Sequence, residues 1–200
     1  NGFIRISDLT SEQESIAKKY GGVYVFDEKL EKEIDKREEE RDKVNKEILK
    51  EVSNIQDKEE QNKQLRLLLQ EKFYDNPKLE RVLSNGKKYY VTTRDYGNDF
   101  KKQAWIPERY SDLIVNYIGD DFNKFEPSIS FIYFYVENNE IVPISLSVTY
   151  TYKVAKFGLF GDEASGIRFK EIYYSYVLGG NRFKFINNKF EKISNQSKDK

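Results

Sequence analysis

The sequence predicts an α+β protein: an N-terminal long charged helix or helical hairpin, then an antiparallel β-meander with one packed helix. Three observations predict it. No Gly or Pro occurs from Asp27 to Phe73, a stretch dominated by Glu, Lys, Arg and Gln, which are strong helix formers. From Ser128 to Ile193 the chain reads as strands, punctuated by the turn pairs Asn138-Asn139, Gly179-Gly180 and Asn187-Asn188. Between these halves stands Asn76-Pro77, where the residue before proline disfavours the helical region.

Four segments are expected in order. Residues 1–26 read as a short helix between extended pieces, with Thr10 or Ser11 at its start and Gly21-Gly22 at its end. Val23–Phe26 suits a short strand. Residues 27–75 form the long helix or hairpin. Its apolar residues Leu30, Ile34, Val44, Ile48, Val52, Ile55, Leu65, Leu69 and Phe73 recur at steps near three and four, which is one stripe of a helix. Arg37, Arg41, Glu59 and Asn62 interrupt that stripe at places where apolar residues are expected. Ser53–Asp57 is the natural place for a break, yet it holds neither Gly nor Pro, and the reading favours one continuous helix. A rod of that length outreaches one small domain, so it is expected to pair with a protein partner or with a second copy.

Residues 76–194 are the α+β domain. Asn85-Gly86 is a strong hairpin signal between two short strands. A helix follows from Pro107 to Ile118, with Tyr110, Leu113, Ile114, Tyr117 and Ile118 as its apolar face. Ser128–Val136 is apolar on both faces. In Ile144–Val154 the residues Ile144, Leu146, Val148, Tyr150, Tyr152 and Val154 share one face, and Ser145, Ser147, Thr149, Thr151 and Lys153 the other. Ile167–Leu178 is a third long strand, and two shorter ones close the sheet. Residues 195–200 are expected to be a frayed tail.

Composition prunes the chemistry. The 200 residues include 34 basic and 34 acidic side chains and no His, Cys or Met. Ser-His-Asp triads, Cys–His dyads, ordinary zinc sites and haem ligation by His, Cys or Met are thereby excluded. Neutral net charge argues against a nucleic-acid partner. No apolar run is long enough to span a bilayer. A chain that starts at Asn1 suggests a shed leader, so an extracytoplasmic setting is expected: periplasmic, secreted or surface-anchored, a removed anchor being compatible with it.

Four constellations remain as candidate sites. Lys156–Gly166 reads as a Gly-rich loop in which Phe157, Leu159, Phe160, Asp162 and Glu163 are the candidate binding residues. Asp95 and Asp99 in "RDYGNDF" and Asp120 and Asp121 in "GDDF" are a weaker candidate set for a metal or an acid–base pair, turn chemistry being the favoured reading. The apolar stripe of the helix is the third. The fourth is the interleaving of Lys and Arg with Tyr and Phe in "IRFKEIYYSYV", which reads as an ordinary polar sheet face. No cofactor is expected. The function expected is non-catalytic binding through a helical arm and a Tyr-rich sheet. The alternatives are a carboxylate-based glycan hydrolase, or a small-ligand or lipid carrier with a cavity lined by Phe131, Tyr133, Tyr150 and Tyr152.

Overall fold

A computed structural model of the chain describes residues 3–160 and 168–193. The strands are β1 Ile4–Ser7, β2 Gly22–Val25, β3 Tyr89–Tyr90, β4 Ser128–Glu137, β5 Glu140–Phe160, β6 Arg168–Val177, β7 Asn181–Ile186 and β8 Lys189–Ile193. The helices are α1 Ser11–Tyr20, α2 Glu28–Val52, α3 Lys58–Leu68, α4 Thr93–Phe100, α5 Glu108–Ile118 and α6 Asp121–Lys124. A π-helical turn, Leu69–Tyr74, prolongs α3. The fold is α+β, with a mixed but mostly antiparallel sheet. The chain divides into two compact units: Asn1–Phe26, Trp105–Ile132 and Ser145–Lys200 in the first, Asp27–Ala104 and Tyr133–Ile144 in the second.

In the first unit β5 pairs with β2, β2 with β7, and β7 with β8. The expected meander is therefore interrupted. β2, from the N-terminus, lies between β5 and β7 and runs parallel to β7, with Tyr24 opposite Phe183. The residues explain the insertion. Tyr24 and Val25 are fully buried, as a central strand requires, and Gly22 lets the backbones approach. A Cβ on Gly22 would lie 2.0 Å from the Asn181 carbonyl oxygen, and its φ of +148° suits glycine. Asn181 locks the junction by donating from Nδ2 to the carbonyls of Lys18, at 2.6 Å, and Gly21, at 2.9 Å.

Helix α1 begins on a capping box, Thr10 with Gln13. It packs with α5 on the face formed by Tyr24, Leu146, Val148, Tyr150 and Phe183. Tyr24 stacks on Phe183 at 4.4 Å between ring centroids, and Tyr117 of α5 meets both rings edge-on. Both Asn-Asn turns adopt positive φ at each Asn, the geometry of the tight hairpin turn.

In the second unit α2 starts on Asp27, whose side chain accepts from the Leu30 amide. The single continuous helix gives way at Ser53–Asp57. The Ser53 hydroxyl turns back to the Lys50 carbonyl, and Asp57 caps a new helix by accepting from the Glu60 amide at 2.8 Å. Short polar side chains that bond their own backbone thus end a helix as effectively as Gly or Pro. The helix returns as a hairpin. Gln61 donates to the Val52 carbonyl, and Lys72 pairs with Glu51 at 2.6 Å. The core of this unit gathers Leu30, Ile34, Leu83, Tyr89 and Ile144, with Val91, Tyr133 and Tyr135 packed around it. The Asn85-Gly86 turn forms, flanked by a single bridge between Val82 and Lys88. Residues 94–100 form α4 rather than an Asx turn, because Thr92 caps it by accepting from the Asp95 amide.

Candidate functional site

The outer half of β5 carries two neighbours. β1 pairs with it from Ile4 opposite Phe157 to Ser7 opposite Val154. β6 pairs with it from Tyr150 opposite Val177 to Phe157 opposite Lys170. Directly opposed residues share a face. One face therefore gathers Ile4 and Ile6 of β1, Thr151, Lys153, Ala155 and Phe157 of β5, and Lys170, Ile172, Tyr174 and Tyr176 of β6.

That face is open. Ile4 is 64% exposed, Ile6 58%, Ile172 57%, Tyr174 67% and Tyr176 59%. Single exposed apolar residues are ordinary, but a contiguous set on one hydrogen-bonded platform is not. Its paired residues include Lys153 and Lys170 and no acid, while Asp8, next after β1, spends its carboxylate on the Lys153 amide at 2.8 Å. Lys153 lies 5.8 Å from the Tyr174 ring centroid and Lys170 5.7 Å from that of Phe157. Glu171 stands opposite Lys156 on the other face. The platform runs into a groove of about 350 Å³ lined by Val23, Ser147, Thr149, Tyr176, Leu178 and the Gly179-Gly180 turn.

The second unit holds a polar cavity of about 280 Å³. Arg41, Arg81, Lys88, Tyr89 and Tyr90 line it, with Asp95, Asn98 and Asp99 from α4. Glu38 organises the wall. Its carboxylate accepts from Arg81 Nε and Nη2, both at 2.9 Å, and from the Tyr89 hydroxyl at 2.8 Å. Burial pushes the Glu38 carboxyl up, but the hydrogen bonds from Arg81 and Tyr89 overcome it and hold the group below its ordinary value. Burial and the bond to Glu38 drive the Tyr89 phenol up. Asp95 accepts from Arg81 at 3.1 Å. Asp99 accepts from Lys88 at 2.5 Å and from the Tyr90 hydroxyl at 2.8 Å, and these bonds hold its carboxyl down.

Three of the four candidate aspartates are engaged close to home. Asp95 and Asp99 both border the cavity and are paired with its cations. Asp121 pairs with Lys124 at 3.2 Å and accepts from the Tyr20 hydroxyl at 3.3 Å. Asp120 precedes α6. Among the described residues no three His, Cys, Asp or Glu side chains form a group able to hold a metal ion. The candidate loop from Lys156 is strand up to Phe160, with a register shift between Phe157 and Phe160 where Gly158 takes a φ of 147°. Glycine there marks a bulge, and the strand carries on past it. Phe157 lies on the open platform and Leu159 and Phe160 lie on β5, while Asp162 and Glu163 lie outside the described residues.

The helical stripe is largely occupied within its own unit. Leu30, Ile34, Ile48 and Val52 are buried, and Val44, Ile55, Leu65, Leu69 and Phe73 are half-buried. Of the carrier residues, Phe131 and Tyr150 pack in the first unit's core, and Tyr133 beside the second's, with its hydroxyl donating to Asp35 at 2.8 Å; Tyr152 is half-buried. Sequence reasoning missed the cavity, although Arg41 had stood out as a cation in an apolar register. It also missed Ile4 and Ile6, whose place beside β5 depends on a pairing some 150 residues apart. Among the described residues no helix is long and apolar enough to cross a membrane. No protein-family model, no curated protein and no solved structure matches this chain.

Proposed function

We propose that this chain is a non-catalytic binding protein whose docking surface is the open face of β1, β5 and β6. The observation that carries the reading is the cluster of Ile4, Ile6, Ile172, Tyr174 and Tyr176, all more than half exposed on one platform. Such a platform supplies apolar area, and tyrosine adds a hydroxyl to each ring, the combination favoured at protein interfaces. Charge selects the partner. Lys153 and Lys170, with no acid among the paired residues of the face and the nearby Asp8 carboxylate engaged by the Lys153 amide, favour a protein segment that presents apolar side chains flanked by Asp or Glu. The helical stripe is not offered as the surface, because Ile34, Ile48 and Val52 already serve a core.

The test compares the chain with its Ile172→Ser/Tyr174→Ser/Tyr176→Ser variant. All three residues are exposed, so the fold is expected to survive, as circular dichroism will report. A random peptide library selected on the parent chain should yield apolar, acid-bearing peptides that bind the variant at least about tenfold more weakly. Equal binding to both proteins, or peptides without acids, would refute the reading. A dimer of the parent chain in light scattering that the variant abolishes would replace the acidic segment with a second copy.

A further inference from the structure

We infer that the cavity in the second unit is a binding site for a small oxyanion, a carboxylate or a phosphate group, received by the Arg41 guanidinium with Lys88 as its second cation. This site is separate from the platform and does not depend on its reading.

Two of the cavity's three cations are already matched. Arg81 has two carboxylates, Glu38 through a two-pronged pair and Asp95. Lys88 has Asp99. Among the described residues Arg41 has no carboxylate within hydrogen-bonding distance: its ion pair with Glu38 is loose, 3.7 Å from Nε, and that carboxylate is bonded to Arg81 and Tyr89. Its Nη1 donates to a neutral group, the Leu79 carbonyl. The side chain is only 18% exposed, so water compensates it poorly.

The surroundings sharpen this. The face of the Arg41 guanidinium is covered by the Phe73 ring, 4.6 Å away, which fixes the plane of the fork. Burial and then the neighbouring Arg81 charge lower the pKa of Arg41, outweighing the opposing pull of Glu38 and Asp95. An oxyanion in the cavity supplies that charge, and a planar fork accepts two of its oxygens at once. Lys88 is 53% exposed on a flexible stem. It can swing from Asp99 to the ligand without unfolding anything. Tyr90 keeps its bond to Asp99 and holds that carboxylate at the rim.

The experiment is a backbone-amide NMR titration of the full chain with inorganic phosphate and, separately, with citrate, the ionic strength being held constant with sodium chloride. The inference expects saturable shifts in residues 79–99, with a dissociation constant of about 1 mM or tighter for at least one probe. Phosphate alone or citrate alone tells which oxyanion the site prefers. Arg41→Gln should weaken binding at least about tenfold, and Lys88→Gln by several-fold, with circular dichroism unchanged. If Arg41→Gln does not fold, the exposed Lys88→Gln carries the test. No saturable shift with either probe, or a Lys88→Gln affinity equal to that of the parent chain, would overturn the inference.

Discussion

Replacing Glu38 with Gln keeps the shape of the side chain and removes the charge that anchors the second unit's polar wall. The carboxylate accepts three hydrogen bonds, two from the Arg81 guanidinium at 2.9 Å and one from the Tyr89 hydroxyl at 2.8 Å. Removing one partner of a buried pair typically costs about 3–5 kcal/mol, because the other charge is left uncompensated. Here Glu38 and Arg81 are each 24% exposed, so water reduces the penalty, and the Gln carbonyl still accepts one bond. The expected loss is about 2–4 kcal/mol at neutral pH.

The same substitution carries a pH signature. Glu38 has its folded pKa held below its ordinary value of 4.5. A depressed carboxyl contributes stability that is fully present above the unfolded-state value and is lost as pH falls through the lower folded value. The gap between the parent chain and Glu38→Gln should therefore be widest near neutrality and should shrink below pH 4.5. Urea unfolding followed by far-UV circular dichroism, at neutral pH and at about pH 3, measures both. A loss under about 0.5 kcal/mol, or a gap that does not change with pH, would refute the reasoning.

Other substitutions probe other parts of the account. Tyr150→Phe should raise stability by about 1 kcal/mol in urea unfolding, since the buried Tyr150 hydroxyl has no hydrogen-bond partner among the described residues and its removal ends a desolvation cost. Gly179→Ala should cost about 2–4 kcal/mol, because a Cβ there would meet the Gly21 carbonyl oxygen at 2.0 Å; an unchanged denaturation midpoint would contradict the close approach. Ile48→Asp/Val52→Asp puts carboxylates at positions 1% and 4% exposed, and should lower the helical signal and the melting temperature. A folded variant that differs only in solution mass would instead restore the helix as an association arm.

Much of the architecture was legible because it is written in local chemistry. Prolonged absence of Gly and Pro marks α2 and α3, Pro107 and Gly119 bracket α5, and the Asn-Asn pairs place the hairpins. The break between α2 and α3 was harder, since Ser53 and Asp57 end and restart a helix through side-chain bonds to their own backbone. The insertion of β2 beside β7 was illegible for a different reason. Four residues carry little pattern, and their pairing depends on a parallel register with a strand at the far end of the chain. The two candidate sites divide in the same way. Alternation in "IRFKEIYYSYV" puts Ile172, Tyr174 and Tyr176 on one face and Tyr173 on the other, yet only the pairing of β1 with β5 adds Ile4 and Ile6 beside them. Arg41 in an apolar register hinted at an inward-facing cation, while Arg81, Lys88 and α4 join it through tertiary contacts.

The central claim is that the β1–β5–β6 platform recognises an apolar segment that bears acids, and charge reversal tests it most directly. Calorimetric titration would compare one acidic, apolar peptide and its Lys-for-Asp/Glu counterpart on the parent chain and on Lys153→Glu/Lys170→Glu. The account predicts that the parent chain binds the acidic peptide, and that the variant loses it about tenfold or more while gaining the basic one. Indifference of both peptides to the reversal would contradict it.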